Sequence, residues 1–507
     1  MRNSRFAIGV LYSVSLLLVT VISPPAVAAR CVRILGNESE GQAESMDPVF
    51  QTALDNPTHL RAVYEPLAVR DNHMKLIPVL ATSWESNQDA TQWTFHLRHG
   101  VKFHDGKDFG SADVVYTFKR LLDTNLAPGG AASLSFLDPG GIQAVDEYTV
   151  RFTTKKPVVE LPLLLNGKLS LIVPDGAKAA DLRLHGNGTG PFMQEHFVPG
   201  GAVRVLKRNS NYWQPGLPKA ECLEIRVISE STSRMAAIAG GEADLALLAD
   251  ATTVVSLRNN PNVQILKTTG ATFIYMPMMI DVAPFDDVRV RKAMKLVVDR
   301  QAVVNTVLLG FGEVGNDNPV PPSSPDAFRH DPIPRDVDTA KKLLAEAGHP
   351  NGIDIDLYTS ADNPAMPLLA EVYAQMAKDA GIRVNVINAP PDSYWNDIWL
   401  KKPFVVSYAA ARPPGEALPL NLKSTSKWNE TKWHRSDFDN LLAKAAATLD
   451  PEARSKVYQD AEKLVADEGG IVGPLYTEIL AVLGKGCAGY QPSVDATLYD
   501  YSNLHCE

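Results

Sequence analysis

The chain has 507 residues, 45% of them hydrophobic and 21% charged, an ordinary globular composition that excludes the disordered and fibrous classes. At roughly 150 residues per domain this is about three domains' worth of material. Its 49 basic and 58 acidic side chains leave a formal charge of −9, which argues against a nucleic-acid partner, because phosphate-backbone binding needs a basic face.

The N-terminus holds the one segment apolar enough to enter a bilayer. Arg2 and Arg5 form a positive n-region, Ala7 to Ile22 is almost unbroken apolar sequence, Ser23-Pro24-Pro25 interrupts it, and Ala26-Val27-Ala28 is a small-x-small cleavage pattern. Residues 1–28 therefore read as a signal peptide, and the short run with its cleavage pattern disfavours the alternative of an uncleaved anchor. Cys31 follows Ala29-Arg30, which does not fit a lipid-anchoring signal, so a free periplasmic protein is expected. Four cysteines remain in that oxidising compartment. Cys487 and Cys506 bracket a short tail and are expected to pair, leaving Cys31 for Cys222. No C-x-x-C spacing favours zinc instead.

In Thr91–Gly106, Trp93, Phe95 and Leu97 alternate with polar residues as a half-buried strand. His99-Gly100 predicts a turn, and Val101 and Phe103 a returning strand, together a β-hairpin. Ser111 is placed to cap a helix carrying Val114, Val115, Phe118, Leu121 and Leu122 on one face. His96, His99 and His104 suggest a metal site, but alternating strands and a turn do not bring them together, so solvated or hydrogen-bonded histidines are expected. Gly186-Asn187-Gly188-Thr189-Gly190 looks like a dinucleotide loop; Pro191-Phe192 follows where a helix must open, so it reads as a tight passage with glycines at positive φ.

The second half is α/β. Asp286 is expected to cap one helix and Asp299 a second that ends at Gly310. After a Pro-rich loop from Pro319 to Pro334, Asp336 caps a helix that stops at Gly348. A strand at Ile353, Ile355 and Leu357, a helix from about Pro367 to Ala380, and a strand at Ile382, Val384 and Val386 make a βαβ unit with parallel strands. Phe404–Tyr408 forms a further strand, and Asp450-Pro451 opens a late helix. The sequence has no G-x-S-x-G elbow, H-E-x-x-H or P-loop, which shifts weight from catalysis to binding, and no cofactor is expected.

Several segments together resemble the family 5 extracellular solute-binding proteins of ABC importers, the dipeptide, oligopeptide and nickel type. They are LATSWE (Leu80 to Glu85), WTFHLRHGVKFHDG (Trp93 to Gly106) with Ala112-Asp113-Val114, GTGPF (Gly188 to Phe192), RNSNYW (Arg208 to Trp213) and GGEADLA (Gly240 to Ala246). PFDDVRVRKAM (Pro284 to Met294), Asp299-Arg300 and AKKLLAEAG (Ala340 to Gly348) complete the series. The resemblance implies an α/β, two-lobed periplasmic binding protein (class II type, cluster C) with a hinge and an interlobe cleft. Lobe I would comprise residues 29–274 plus 471–507, with an extra subdomain at about 75–185, and lobe II residues 275–470. The chain would cross near Tyr275 to Met278 and Gly473 to Tyr476. It further implies a monomer that traps a small-molecule solute by hinge closure and presents it to an inner-membrane ABC permease.

For the ligand site, the strand Phe404–Tyr408 ends in Ala409-Ala410-Ala411-Arg412-Pro413-Pro414-Gly415-Glu416, and ligands sit beyond the carboxyl ends of strands. Arg412 suits a carboxylate, or else pairs with Glu416, and Pro413 stiffens the loop. In peptide-binding relatives an aspartate stands in this region; its absence here favours an acidic ligand, peptide-like or opine-like, with no free amine. Trp395 and Trp399 lie one helical turn apart and either pack in the core or stack on a ligand. Tyr408, Asn316, Asp317, Trp428, Asn429 and Met46 complete the candidate set. A metal-chelate or haem receptor of the same family is the alternative, and a secreted hydrolase a more distant one.

Overall fold

Two long strands, Val263–Pro277 and Ile471–Gly484, organise the computed structural model of the protein, which describes residues 30–36, 45–50, 58–127, 130–131, 134–165, 170–494 and 499–507. The signal peptide expected over residues 1–28 lies outside the described residues. The two strands pair antiparallel from Val263 opposite Gly484 to Pro277 opposite Ile471, with register irregularities between Thr268 and Thr272 and between Ile274 and Met276. A nine-stranded mixed sheet grows from this ribbon. At its Gly484 end, Leu245-Ala246 joins Ile471–Gly484, and Val32–Gly36, Cys222–Val227, Val203–Arg208 and Phe192–His196 follow outward. At the other end, Ser407–Ala410 pairs with Val263–Pro277, and Gly312–Val314 pairs with Ile471–Gly484.

The buried apolar side chains divide along the same ribbon. Three clusters draw on residues before Phe273 and after Tyr476, with Phe311 as an added member. Two others draw on residues between Phe273 and Tyr476. The architecture is the expected two-lobed α/β one. Met276, Met278 and Met279 are buried at the ribbon's end, as flexible gap-filling side chains.

The early segments depart from expectation. Gln92–Leu97 is a strand, but it pairs with Ala81–Ser86 on one edge and Thr149–Thr153 on the other. With both edges taken, Val101 and Phe103 have no ladder to join and instead bury their side chains in the adjoining core. The helix Ser111–Leu122 is capped at Gly110, whose N–H donates to the Asp113 carboxylate at 2.8 Å, while the Ser111 hydroxyl donates to the Asp146 carbonyl. The glycines of 186–190 do not have positive φ. They are required by close approach: a Cβ at Gly188 would lie 2.1 Å from the Val63 carbonyl oxygen, and one at Gly190 2.6 Å from that of Ala62. The three histidines have separate partners, His96 beside Glu85, His99 against Tyr148, and His104 bonded to the Gly190 carbonyl. Burial pushes the His104 imidazole down to about 4, which keeps it neutral.

The later helices follow their caps. Asp299, Asp336 and Asp450 each accept a backbone N–H from the third residue on. Asp287 rather than Asp286 caps Val288–Leu296, accepting from the Arg289 N–H. The strands Ile353–Ser360 and Ile382–Ala389 are parallel, joined through the helix Ala365–Ala377, and Gly381 makes the stop at φ 78°. The strand expected at Phe404–Tyr408 is regular only over Ser407–Ala410. Both disulfides form as expected, Cys31–Cys222 and Cys487–Cys506.

One buried acid, Glu65, is expected to make stability depend on pH. Glu65 accepts from the Thr189 and Tyr212 hydroxyls and the Trp213 indole N–H, yet burial still raises its carboxyl to about 7. Between the unfolded carboxylate range and 7 the folded state holds the extra proton, so this group's contribution to stability is lost as pH rises through that window. Glu65→Gln, which mimics the protonated side chain, should flatten the slope of urea stability between pH 5 and 7.5. An unchanged slope would refute this.

Candidate functional site

Four segments converge at the ribbon's end. Ser407–Ala410 sets Ser407 opposite Tyr275 and Tyr408 opposite Ile274. The strand Ile353–Ser360 ends in Ala361-Asp362. A wide turn over Tyr394–Ile398 carries Trp395 and leads into Trp399. Its anchor is Tyr394, fully buried, whose hydroxyl donates to the Val406 carbonyl at 2.6 Å. The loop 426–433 supplies Trp428 and Glu430.

Their aromatic side chains form a continuous row. Tyr408 meets Trp395 at 5.3 Å and 88°, Trp395 meets Trp399 at 5.6 Å and 74°, and Trp399 meets Trp428 at 6.1 Å and 75°. Such edge-to-face contacts are the favoured geometry for aromatic pairs. The ends of the row are open to solvent, with Tyr408 38% and Trp428 49% exposed. Acids hold it from beneath and from one side. The buried Glu430 carboxylate accepts from the Ser407 hydroxyl at 2.6 Å, from the Trp399 indole N–H and from Tyr275. Burial raises its carboxyl, and those three donors oppose the rise. Asp362 Oδ2 accepts from both the Trp395 indole N–H at 3.1 Å and the Tyr408 hydroxyl at 3.2 Å.

Arg412 stands two residues past the strand that carries Tyr408, and its charge reaches Tyr275. Its guanidinium lies 4.0 Å from Glu416 and donates weakly to the Ala410 carbonyl. Glu416 in turn accepts from Arg70 at 3.2 Å, so the turn meets the part of the chain that precedes Phe273. A second contact between these parts of the chain lies alongside. Glu160 accepts from the Tyr458 hydroxyl at 2.6 Å and sits 3.7 Å from Arg454. Burial raises the Glu160 carboxyl, opposed by Tyr458 and Arg454.

The structure brings Tyr408, Trp395 and Trp428 into one row and sets Arg412 two residues past the strand of Tyr408, with Pro413 buried at the head of the helix Pro414–Leu422. The remaining candidates lie elsewhere or have their polar atoms engaged. Asp317 is fully buried, paired with Arg300 at 2.6 Å and accepting the Gly473 N–H at 2.8 Å. Asn316 donates to the His330 carbonyl and lines a separate cavity of about 260 Å³ with Asn318, Phe328 and His330. Asn429 organises its own loop, bonding Thr431 and both backbone groups of Trp433, and Trp433 itself is buried. Met46 is wholly buried in the first lobe's core. Residue-by-residue reading missed Asp362, Glu430, Tyr275, Glu160 and Arg70. Asp362 carried a usable signal, since it stands just beyond the carboxyl end of an alternating strand.

A family profile described as bacterial extracellular solute-binding proteins, family 5 Middle, matches residues 75–429. Heme-binding protein A of Haemophilus influenzae is 30% identical over 458 residues, 82% of this chain and 82% of that protein. Glutathione-binding protein GsiB of Escherichia coli K12 is 26% identical over 461 residues, 88% of this chain and 89% of that protein. The solved structure of HbpA2 from Haemophilus parasuis superposes with a TM-score of 0.82 at 22% identity, covering 94% of this chain and 99% of that one.

Proposed function

We propose a ligand class and a mode of capture for a chain that belongs to the bacterial extracellular solute-binding proteins of family 5, the substrate-binding components of ABC importers. The ligand is a small organic acid, peptide-like or opine-like, whose carboxylate Arg412 holds while Tyr408, Trp395 and Trp428 cover its apolar part. An arginine two residues past the strand that carries the solvent-open end of an aromatic row is the observation that carries this reading, because a guanidinium fork suits a planar acid and an aromatic wall suits the chain behind it. The names of two relatives agree in chemistry, since glutathione and haem both carry carboxylates. The protein captures its ligand without transforming it and works as a monomer, free in the periplasm after cleavage behind Ala28. Lobe I spans residues 29–274 plus 471–507 and lobe II residues 275–470. Core membership changes close to those points, at Phe273 and at Tyr476, and the ligand draws the lobes together.

A metal-chelate or haem ligand is the second reading, favoured by the flat aromatic row and by the name of the relative at 30% identity. One experiment separates the two. Mature protein is isolated from the periplasm, its mass checked for a chain starting at Ala29, and stripped of ligand with its disulfides intact. Thermal shifts are then read for glutathione, acidic dipeptides, opine-like acids, oligosaccharides and haem. A ligand at a thousand times its dissociation constant adds about 4 kcal/mol. Acids are expected to stabilise, with affinity about tenfold weaker in Arg412→Ala, as for loss of one charge-assisted contact, and to be recovered chemically unchanged. Preference for sugars, or equal binding by the variant, would overturn the assignment; a haem absorbance band with no response to the acids would favour the second reading.

A further inference from the structure

We propose that Glu416 is a positioning residue that makes closure depend on an acid: the ligand's carboxylate takes Arg412 from Glu416, and the released Glu416 carboxylate then serves Arg70 of lobe I. This rests on the reading that Arg412 holds the ligand's acid. It adds a step between capture and closure and sets specificity there, because a ligand without an acid leaves Glu416 shared between the two arginines.

Three observations carry the inference. The Glu416 carboxylate is divided between arginines that approach it from the two lobes. Oε1 accepts from Arg70 Nη1 at 3.2 Å, and Oε2 lies 4.0 Å from Arg412 Nε. The Arg412 contact is the looser one, longer than a hydrogen bond, and the other polar contact of that guanidinium is a 3.4 Å bond to the Ala410 carbonyl. Its side chain is 29% exposed, so a solute can reach it. An arriving carboxylate can pair with the guanidinium fork bidentately. It also brings a like charge next to Oε2, which drives Glu416 towards Arg70. Second, the backbone does not absorb that shift. Pro413 and Pro414 stand between the two side chains with fixed φ, and the Glu416 N–H donates to the Pro413 carbonyl at 3.0 Å. The exchange is thereby confined to side chains. Finally, it happens where closure is felt: Gly415, the preceding residue, lies against Glu160 of lobe I, so a stronger Arg70–Glu416 pair draws together surfaces that already meet.

The first arm of the test needs no ligand. Small-angle scattering reads the closed-to-open ratio of stripped mature protein, with melting temperatures as the check on folding. Arg412→Ala removes the competitor for Glu416, so its closed-to-open ratio is expected to rise about fivefold over wild type, the scale of a modest coupling between sites. Arg70→Gln and Glu416→Gln should each lower the ratio, and in the Glu416→Gln background neither Arg412→Ala nor Arg70→Gln should change it further. Independent structural contacts would instead give additive effects. The second arm compares glutathione with its diethyl ester, which keeps the peptide and blocks its carboxylates. At saturation glutathione is expected to compact the wild type and the ester is not. Unchanged compactness in Arg412→Ala, or equal compaction by that substitution in the Glu416→Gln background, would overturn the exchange while sparing the acid reading. Equal compaction of the wild type by acid and ester would overturn the acid dependence of closure. If neither compound binds, the acid reading falls and the proposal falls with it.

Discussion

Asp317→Ala is expected to lower the stability of the protein by about 3–5 kcal/mol, the cost of leaving a buried ionic partner unmatched. Arg300 and Asp317 are almost wholly removed from solvent, at 2% and 0% side-chain exposure. The remaining guanidinium would keep its bond to the Ile333 carbonyl and lose its counter-ion. The substitution also frees the Gly473 N–H, which donates to Asp317 Oδ1 on the strand that passes between the lobes. A local term adds to both: residue 317 has φ 58°, a conformation that aspartate tolerates better than alanine. In urea titrations at pH 7 the midpoint should fall with little change in slope. Replacing Arg300 and Asp317 together with apolar residues should recover much of the loss, because the penalty lies in the unpaired charge rather than in the missing attraction. A single-variant loss below about 1 kcal/mol would show that the pair is not a structural element.

Gly415→Val is expected to weaken capture about a hundredfold while leaving the melting temperature of each lobe's core nearly unchanged. A Cβ at position 415 would stand 1.9 Å from a Glu160 carboxylate oxygen and 2.8 Å from the Tyr458 hydroxyl. The backbone itself accepts the change, since Gly415 lies in the first turn of Pro414–Leu422 and has no positive φ. The severest clash, with Glu160, therefore arises where the two lobes meet, and the milder one with Tyr458 lies within lobe II. Glu160 cannot retreat cheaply, because its carboxylate is buried and bonded to Tyr458. Holding the lobes apart raises the free energy of the closed form alone, and apparent affinity falls by the closed fraction lost. Calorimetry with the tightest acid from the ligand panel, paired with small-angle scattering to read compactness, checks the result. Wild-type affinity in this variant would mean that the Glu160–Gly415 contact is not part of the binding-competent state.

What the sequence made legible was local. Aspartate caps at Asp299, Asp336 and Asp450 and the stop at Gly381 depend on residues within one helical turn, and all are present. The hairpin at Trp93–Phe103 was misread because strand partners are chosen across the sheet. Two edges already filled by Ala81–Ser86 and Thr149–Thr153 cannot be seen from the strand's own alternation. The site divides in the same way. Arg412 and Tyr408 were expected from the rule that ligands lie beyond strand ends, and Trp395 from its spacing to Trp399. Asp362 joins the aromatic row only through Trp395 and Tyr408, 33 and 46 residues away. Asp317 looked like a ligand residue because it is a polar residue in a turn-forming loop, and only its distant partners Arg300 and Gly473 reveal it as a brace.

The ribbon of Val263–Pro277 and Ile471–Gly484 limits how the lobes can travel. Two hydrogen-bonded strands resist sliding past one another and resist bending within the plane of their bonds, but they flex and twist out of that plane. The irregularities at Thr268/Thr272 and Ile274/Met276 interrupt the ladder where it passes from one set of cores to the other, and they mark the compliant points. Relative motion is thereby reduced towards a single degree of freedom, a swing about one axis with little sideways play. Such a joint brings Arg70 back to Glu416 and Glu160 back to Tyr458 in the same register on every cycle, so the surface offered to a membrane partner is reproducible from one closure to the next.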